Sequence, residues 1–251
     1  MLMVASHLEA SVDALAEARR SNTQIDGLAQ APASTDEAHA IQDVVFARLG
    51  LEIGAYKAST PVGAPEKRGL IPAGMVRQSP AAMPAVQVPH CGVEAEVAFR
   101  FLRDLPPRET PYTREEVAAA TSVLPAIEVL SSRFRSPRTR PELEQLADCM
   151  INGGLVLGAE TKNWSHLDLP RLEVTLTING ETVLQRTGGH PTDDPLGITV
   201  ALVNMMRIAG GVKAGQSVAT GSWSGMLFLK PGDTCVASFS GLGTAEVTFS
   251  A

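Results

Sequence analysis

Three glutamates occupy positions where the surrounding sequence is apolar. Glu94 and Glu96 alternate with apolar residues, so both side chains project from one face of a strand predicted for residues 93–102. Glu128 alone interrupts the apolar run of a second predicted strand, residues 123–130. Because buried like charges repel and a shared cation offsets that repulsion, the three carboxylates predict a site for one divalent cation, Mg²⁺ or Mn²⁺.

The same spacing has an interpretation without a metal. Glutamates two residues apart are common on a solvated strand face. Glu128 would then pair with a nearby guanidinium, from Arg133 or Arg100. Spacing alone leaves both interpretations open.

Lys57 is the candidate for proton transfer. Its neighbours Ile53 and Tyr56 suggest a desolvated ammonium, and both desolvation and a nearby cation would lower the pKa of the lysine towards a useful range. The alternative is an ordinary solvated surface lysine.

Four further polar residues are candidates for substrate binding. Ser222 lies in a Thr-Gly-Ser turn, and His190 precedes a proline in a predicted loop. Lys67 and Arg68 form a basic pair that would either meet a second carboxylate of a substrate or be solvated.

These residues need a framework of short strands. Residues 1–50 are predicted to be helical, with Ser34 and Glu37 as a capping box and Gly50 as the stop of the second helix. Residues 61–90 contain six prolines and are predicted to form a long ordered loop that rims a pocket.

Downstream signals complete an α+β pattern. A helix over residues 113–122 begins at a second capping box, Thr113 with Glu116. Asn179-Gly180 predicts a hairpin between strands 172–178 and 181–185, and Asp194 caps a helix reaching about residue 208. Three further strands are predicted over residues 217–220, 234–240 and 244–249.

Composition narrows the class of protein. The 251 residues are 44% hydrophobic and 19% charged, which is typical of a globular protein. A net charge of −6 without basic runs argues against nucleic-acid binding. Three cysteines without paired spacing indicate free thiols, and neither a signal peptide nor a membrane span is predicted, so we expect a cytoplasmic protein.

The chain resembles the 2-keto-4-pentenoate hydratase and 4-oxalocrotonate decarboxylase branch of the fumarylacetoacetate hydrolase superfamily over about residues 40–250. The matching segments, in order, are Ala55-Tyr56-Lys57, Val93-Glu94-Ala95-Glu96-Val97-Ala98-Phe99, Leu124-Pro125-Ala126-Ile127-Glu128-Val129, Ser132-Arg133, Gly189-His190-Pro191, Thr220-Gly221-Ser222, Pro231-Gly232-Asp233 and Gly241-Leu242-Gly243. No single segment is specific, but their order and spacing are.

The resemblance implies a fold and a chemistry. It implies N-terminal helices over residues 1–50, followed over 51–251 by a mixed β-sheet rolled into a barrel-like core, together one structural unit. It also implies Mg²⁺ or Mn²⁺ held by Glu94, Glu96 and Glu128, with Lys57 as general acid/base. The expected partner is a small 2-oxo or 2-hydroxydienoic acid, and the expected assembly is a homo-oligomer.

Several functions are compatible with that resemblance. The first is hydration of a 2-hydroxy-2,4-dienoate to a 4-hydroxy-2-oxo acid in degradation of aromatic compounds, and the close alternative is decarboxylation of a 2-oxo-3-enedioate. C–C hydrolysis of acylpyruvates is less favoured, because those relatives carry a Gly-Lys pair that residues 153–158 lack. A non-catalytic small-acid binding protein or partner subunit is the remaining alternative.

Departures from the pattern fall near the expected pocket. Ala58-Ser59-Thr60 follows the lysine where relatives usually have a glycine, and Lys67-Arg68 replaces an acidic and an aromatic residue. Asp148-Cys149-Met150-Ile151 replaces the usual Asp-Asn-Ala-Ser. The resemblance therefore does not by itself establish which substrate the pocket binds.

Overall fold

The structure is a computed structural model and describes residues 4–251. The helices are α1 (Glu9–Ser21), α2 (Thr35–Leu49), α3 (Arg114–Ala118), α4 (Glu142–Ala147) and α5 (Pro195–Met206). The strands are β1 (Ile53–Ser59), β2 (Lys67–Pro72), β3 (Val76–Gln78), β4 (Ala81–Pro84), β5 (Gly92–Phe101), β6 (Thr121–Leu130), β7 (Asn152–Leu157), β8 (Glu173–Ile178), β9 (Glu181–Thr187), β10 (Ser217–Ser222), β11 (Leu227–Phe228), β12 (Thr234–Phe239) and β13 (Gly243–Ser250).

Two mixed sheets form the centre of the protein. The larger, eight-stranded sheet has the order β2-β1-β10-β5-β6-β7-β3, and β11 pairs with β5. The smaller sheet has the order β4-β13-β12-β8-β9. β2 also contacts β7, although four strands lie between them in the order of the larger sheet, so that sheet curls back towards itself. The predicted α+β fold with a rolled sheet is confirmed.

One face of the larger sheet carries small apolar side chains. Ala55, Ala98, Ala126 and Ala219 belong to one buried cluster, which a few larger side chains complete. Because side chains on a strand alternate between faces, the residues two positions from these alanines share their face. That face therefore also carries the candidate lysine and glutamates.

The N-terminal helices form where the sequence predicts them. Ser34 accepts a hydrogen bond from the Glu37 backbone N–H, and α2 ends at Gly50 in the left-handed conformation, with φ +62°. The Glu37 carboxylate accepts from Ala33 N–H, so the second bond of the predicted capping box is displaced by one residue. α2 contributes Phe46 to the main apolar core shared with the sheets. Residues 1–3 of the predicted helical segment lie outside the described residues.

The prediction of a continuous loop over residues 61–90 is wrong. β2, β3 and β4 all lie in that segment. Its prolines are compatible with strands because Pro72 and Pro84 end β2 and β4, and because all three strands lie at sheet edges, where a missing N–H is tolerated. Part of the segment, from Pro72 to Arg77, lines a cavity, which agrees with the predicted rim.

Other predicted elements differ mainly at their ends. The capping box of Thr113 and Glu116 is present, but α3 ends at Ala118, because Thr121 and Ser122 already belong to β6. The Asn179-Gly180 hairpin joins β8 and β9 as predicted. The Asp194 side chain caps α5 by accepting from Gly197 N–H. The three cysteines are free and buried, as predicted.

The helices of residues 4–251 include none with the length and apolar character needed to cross a membrane. α5, with 12 residues, is well below the roughly 20 residues that a bilayer requires. Its apolar side chains, including Leu202 and Val203, pack into the main core instead.

Candidate active site

The three glutamates meet on the buried face of the larger sheet. Glu94 in β5 lies directly opposite Glu128 in β6, and Glu96 lies two residues further along β5. One carboxylate oxygen from each residue lies within 4.8 Å of the other two. Glu96 and Glu128 are fully buried, and Glu94 is 7% exposed.

Lys57 completes this group from β1. Its Nζ lies 3.0 Å from Glu128 Oε2 and 3.4 Å from Glu94 Oε2. β10 lies between β1 and β5, and it carries Ala219 directly beside Lys57. Because alanine leaves space above the sheet, the lysine side chain can pass over β10 to the glutamates. We call Lys57, Glu94, Glu96 and Glu128 the carboxylate cluster.

The cluster has an excess of negative charge. Three carboxylates and one ammonium leave a net charge of −2 when all are ionised. Burial raises the pKa of Glu96 well above its ordinary value, and the neighbouring carboxylates of Glu128 and Glu94 add to the effect. Burial also raises the pKa of Glu128, although Lys57 acts in the opposite direction. Without a cation, these ionised glutamates are therefore costly.

The predicted lowering of the Lys57 pKa does not occur in the protein alone. Burial acts to lower the pKa, but the carboxylates of Glu128, Glu94 and Glu96 together raise it above its ordinary value. The sequence reveals the desolvation of Lys57 but not the distance of its ammonium from three negative charges. A bound cation would compete with the ammonium for those charges and so act against the increase.

The backbone and one amide hold two of the carboxylates in place. Gly221 N–H donates to Glu96 Oε2 at 2.8 Å, and Asn152 Nδ2 donates to Glu128 Oε1 at 2.9 Å. These bonds leave Glu96 Oε1 buried and without a hydrogen-bond partner in residues 4–251. Glu128 Oε2 lies 3.0 Å from the Lys57 ammonium but accepts no hydrogen bond of normal geometry in that same part of the chain.

This arrangement fits a hard divalent cation. A buried carboxylate oxygen without a donor is unfavourable unless a cation approaches it. Oxygen ligands from Glu94, Glu96 and Glu128 on rigid strands suit Mg²⁺ or Mn²⁺, and the cation would cancel the net charge of −2. The three glutamates would hold the ion, while the Asn152 and Gly221 donors would keep two of them oriented.

The interpretation without a metal is wrong in its details. Glu94 and Glu96 do not lie on a solvated face, since both are buried. The two arginines proposed as partners of Glu128 are occupied elsewhere. Arg133 Nε donates to Asp148 Oδ1 at 2.5 Å, and Arg100 Nη1 lies 3.6 Å from Glu160 Oε2.

Ser222 lies beside the cluster, opposite Glu96 in the β10–β5 register. Its hydroxyl accepts a hydrogen bond from Gly225 N–H at 2.9 Å and so closes the turn after β10. The side chain is half-buried, so it remains available to a bound molecule. A substrate contact of Ser222 stays a prediction.

Both ring nitrogens of His190 are engaged with the protein. Nε2 lies 2.7 Å from the Thr220 carbonyl oxygen, so it carries the proton and donates, while Nδ1 accepts from Thr192 N–H at 3.3 Å. The Thr220 carbonyl belongs to the same peptide group as Gly221 N–H, which donates to Glu96. His190 is therefore linked through one peptide group to a predicted metal ligand, and a substrate contact of His190 stays a prediction.

We expect His190→Phe to weaken Mn²⁺ binding about tenfold, because the ring packing on Trp223 is kept while the N–H donor is lost. His190→Gln retains a donor and should lose less affinity. Titration calorimetry of both variants with Mn²⁺ measures the difference. Wild-type affinity in His190→Phe would show that the histidine does not position Glu96.

Lys67 and Arg68 are not brought to the carboxylate cluster. The Lys67 ammonium pairs with Glu142 in α4. The Arg68 guanidinium donates to both carboxylate oxygens of Asp43 in α2 at 2.7 Å. Both residues thus link β2 to the helices, and contact with a substrate remains only a prediction for them.

Sequence reasoning did not identify Asn152 or Gly221 as hydrogen-bond donors to the glutamates. Asn152 is the polar first residue of the apolar strand β7, and this is the only signal that pointed to it. Gly221 needs to be glycine because its φ is +120° and a Cβ would meet Pro191 and His190 at 3.3–3.4 Å. A close approach between this backbone and the loop carrying His190 explains that requirement.

Comparisons with known proteins give relatives of two named kinds, hydratases and decarboxylases. The chain is 29% identical over 260 residues to a 2-keto-4-pentenoate hydratase of Paraburkholderia phymatum, covering 98% of both chains. It is 28% identical to a 4-oxalocrotonate decarboxylase of Pseudomonas putida, over 53% of this chain and 50% of the relative.

The fold is also that of a solved structure. The 4-oxalocrotonate decarboxylase from Pseudomonas putida G7, complexed with calcium and acetate, superposes with a TM-score of 0.80 at 20% identity, over 99% of this chain and 100% of that one. Residues 53–250 match the family described as fumarylacetoacetate (FAA) hydrolase C-terminal. That match spans most of the chain, which therefore belongs to the fumarylacetoacetate hydrolase C-terminal family.

Proposed function

We propose that this protein is a divalent-metal-dependent lyase that hydrates a 2-hydroxy-2,4-dienoate to a 4-hydroxy-2-oxo acid, in degradation of aromatic compounds. The observation that carries the proposal is the buried carboxylate cluster, in which Lys57 Nζ lies 3.0–3.4 Å from two of three convergent glutamates. The hydratase relatives support the choice of reaction, since one of them aligns over 98% of both chains.

The residues of the cluster have separate roles in this proposal. A cation held by Glu94, Glu96 and Glu128 would supply electrophilic stabilisation of the enolate charge. Lys57 is the group assigned to proton transfer during ketonisation of the dienol, after which one water adds across the distal double bond. The Lys57 ammonium lies 3.4 Å from Glu94 Oε2, and both side chains keep a small exposed fraction, 13% and 9%, which supports this assignment.

The test is a direct assay with 2-hydroxypenta-2,4-dienoate and Mg²⁺ or Mn²⁺. We expect diene absorbance to disappear and product NMR to show 4-hydroxy-2-oxopentanoate. Chelation of the metal should abolish the reaction, and Mg²⁺ or Mn²⁺ should restore it. No turnover with metal bound would contradict the proposed substrate.

Decarboxylation of a 2-oxo-3-enedioate is the second candidate function. Both a curated relative and a solved structure of the same fold are 4-oxalocrotonate decarboxylases. An enolate stabilised at the same cluster would serve either reaction. We expect slower CO₂ release from 2-oxohex-3-enedioate than hydration of the dienoate, and trapping of CO₂ in parallel with product NMR decides between them.

We also propose that the chain forms a homo-oligomer, since symmetric assembly is the common outcome for soluble enzymes. Light scattering at micromolar concentration should give a mass that is a multiple of 26.5 kDa. A mass of one chain across that range would contradict the proposal.

A further inference from the structure

A second concave site adjoins the carboxylate cluster. A cavity of about 990 Å³ lies between the end of α1, the segment after β2 and the residues that follow β6. Lys57 and the three glutamates do not line it, but Asn152 lines it and also donates to Glu128 Oε1. The cavity and the cluster therefore share one side chain. Its volume is in the range of cavities that hold small molecules.

The wall of this cavity is positively charged. Its ionisable lining residues are Arg19, Arg20, Arg77, Arg133 and Glu52. Arg20 is paired with Glu17, but the remaining three guanidiniums still outnumber the one lining carboxylate, in contrast to the net charge of −6 of the whole protein. A concave surface lined by one sign of charge attracts ligands of the opposite sign.

Two of these arginines share one carboxylate. The side chains of Arg19 and Arg133 are each 12% exposed, and that of Asp148 is fully buried. Arg133 Nε donates to Asp148 Oδ1 at 2.5 Å, while Arg19 Nη2 lies 3.7 Å from the same oxygen. The group consequently keeps one positive charge that Asp148 does not neutralise.

Arg19 has little else to balance its charge. Its Nη2 lies 3.2 Å from Cys149 Sγ, and burial raises the pKa of that thiol, which keeps it neutral. Burial and the charge of Arg133 lower the pKa of Arg19 itself, so the protein alone stabilises this guanidinium poorly. An anion in the cavity would offset that cost.

Free donors point to the kind of anion. Within residues 4–251, Nε and Nη1 of Arg19 and Nη1 of Arg133 have no hydrogen-bond acceptor. Arg19 Nη2 keeps a second N–H besides the one donated to Cys149 Sγ, so one two-donor edge of Arg19 stays open. Both side chains line the cavity. A guanidinium presents its N–H groups in a planar fork, and a carboxylate matches that fork with two oxygens.

We infer that this cavity binds a carboxylate through Arg19 and Arg133. The choice of a carboxylate rests on the proposed function, whose substrates and products are small acids. The carboxylate belongs either to the far end of a dicarboxylic substrate whose reacting end lies at the carboxylate cluster, or to a separate acid molecule. Asn152, which borders both sites, is the point at which they meet.

The experiment measures adipate binding to the Mn²⁺-loaded protein by titration calorimetry. Arg19→Gln should weaken adipate binding at least tenfold, while Mn²⁺ and oxalate binding stay at wild-type values. Arg19→Lys keeps the charge without the fork and should lose affinity to a smaller extent, and it serves if Arg19→Gln does not fold. Arg171→Gln is the matched control, because that side chain is 82% exposed and is not among the residues that line the cavity.

The two sources of the carboxylate are separated by saturating the protein with oxalate first. Loss of adipate binding under oxalate means that one molecule spans both sites, and undiminished binding means a separate acid. Adipate affinity unchanged in Arg19→Gln and Arg19→Lys, or lowered equally in Arg171→Gln, would overturn the inference. A failed hydration assay with adipate binding still dependent on Arg19 would contradict only the proposed function.

Discussion

Replacing Lys57 by methionine is expected to lower kcat by about 10² to 10⁴, the usual effect of losing a positioned acid or base. The ammonium lies within 3.4 Å of two carboxylates on the face where a substrate would meet a cation. Methionine keeps most of the apolar stem but cannot carry a proton. KM should change much less than kcat, because the glutamates and the cation they hold would still bind the acid.

Mn²⁺ affinity shows whether the metal site of the Lys57→Met variant is intact. Loss of the ammonium leaves the three carboxylates without their only close positive charge in residues 4–251, so Mn²⁺ affinity should be retained or should increase. Lys162→Met is the matched control, since Lys162 is exposed. Unchanged kcat in Lys57→Met would mean that another group moves the proton.

The sequence was most informative where strand alternation or helix capping, which depend on neighbouring residues, could be applied, and where a charged residue interrupted an apolar segment. Alternation placed Glu94 and Glu96 on one face, and the isolated Glu128 marked an apolar strand, so the convergence of three carboxylates could be predicted. Caps at Ser34, Thr113 and Asp194 likewise depend on three or four consecutive residues and appear in the structure. Such features need no knowledge of tertiary contacts.

Features set by distant contacts could not be predicted in this way. The donors to the glutamates, Asn152 and Gly221, lie 24 and 125 residues from their acceptors. The raised pKa of Lys57 depends on charges from two other strands. Lys67 and Arg68 looked like substrate contacts because their partners, Glu142 and Asp43, are remote in sequence.

The backbone conformation of the segment after Asp148 is a further feature that the sequence does not predict. Cys149, Met150 and Ile151 all have φ between +57° and +58°, a left-handed conformation that is rare for such residues, above all for β-branched isoleucine. Nothing in their residue types predicts it. Arg19, which lines the cavity, contacts Cys149 at the start of this segment, and Asn152, which donates to Glu128, directly follows it, so the strained backbone is adjacent to contacts of both sites.

Replacing Glu96 by glutamine is expected to remove most of the metal binding while leaving the metal-free protein as stable as the wild type or more stable. The amide preserves the shape and can still accept from Gly221 N–H. It removes one of three crowded, buried negative charges, a change that favours the metal-free fold. The cation in turn loses a charged ligand, and breaking a buried charge pair costs about 3 to 5 kcal/mol, or a factor of roughly 10² to 5 × 10³ in affinity.

Opposite effects on metal binding and on metal-free stability distinguish a ligand from a merely structural glutamate. Metal content after dialysis against Mn²⁺ and thermal unfolding with and without Mn²⁺ should be measured for Glu96→Gln. Glu173→Gln is the matched control, because Glu173 is exposed in β8. We expect the control to keep the wild-type metal content and its metal-dependent rise in Tm, and Glu96→Gln to lose both. Wild-type metal stoichiometry in Glu96→Gln would exclude Glu96 as a ligand. A large loss of metal-free stability would mean that the Glu96 carboxylate stabilises the sheet and is not there to bind a cation.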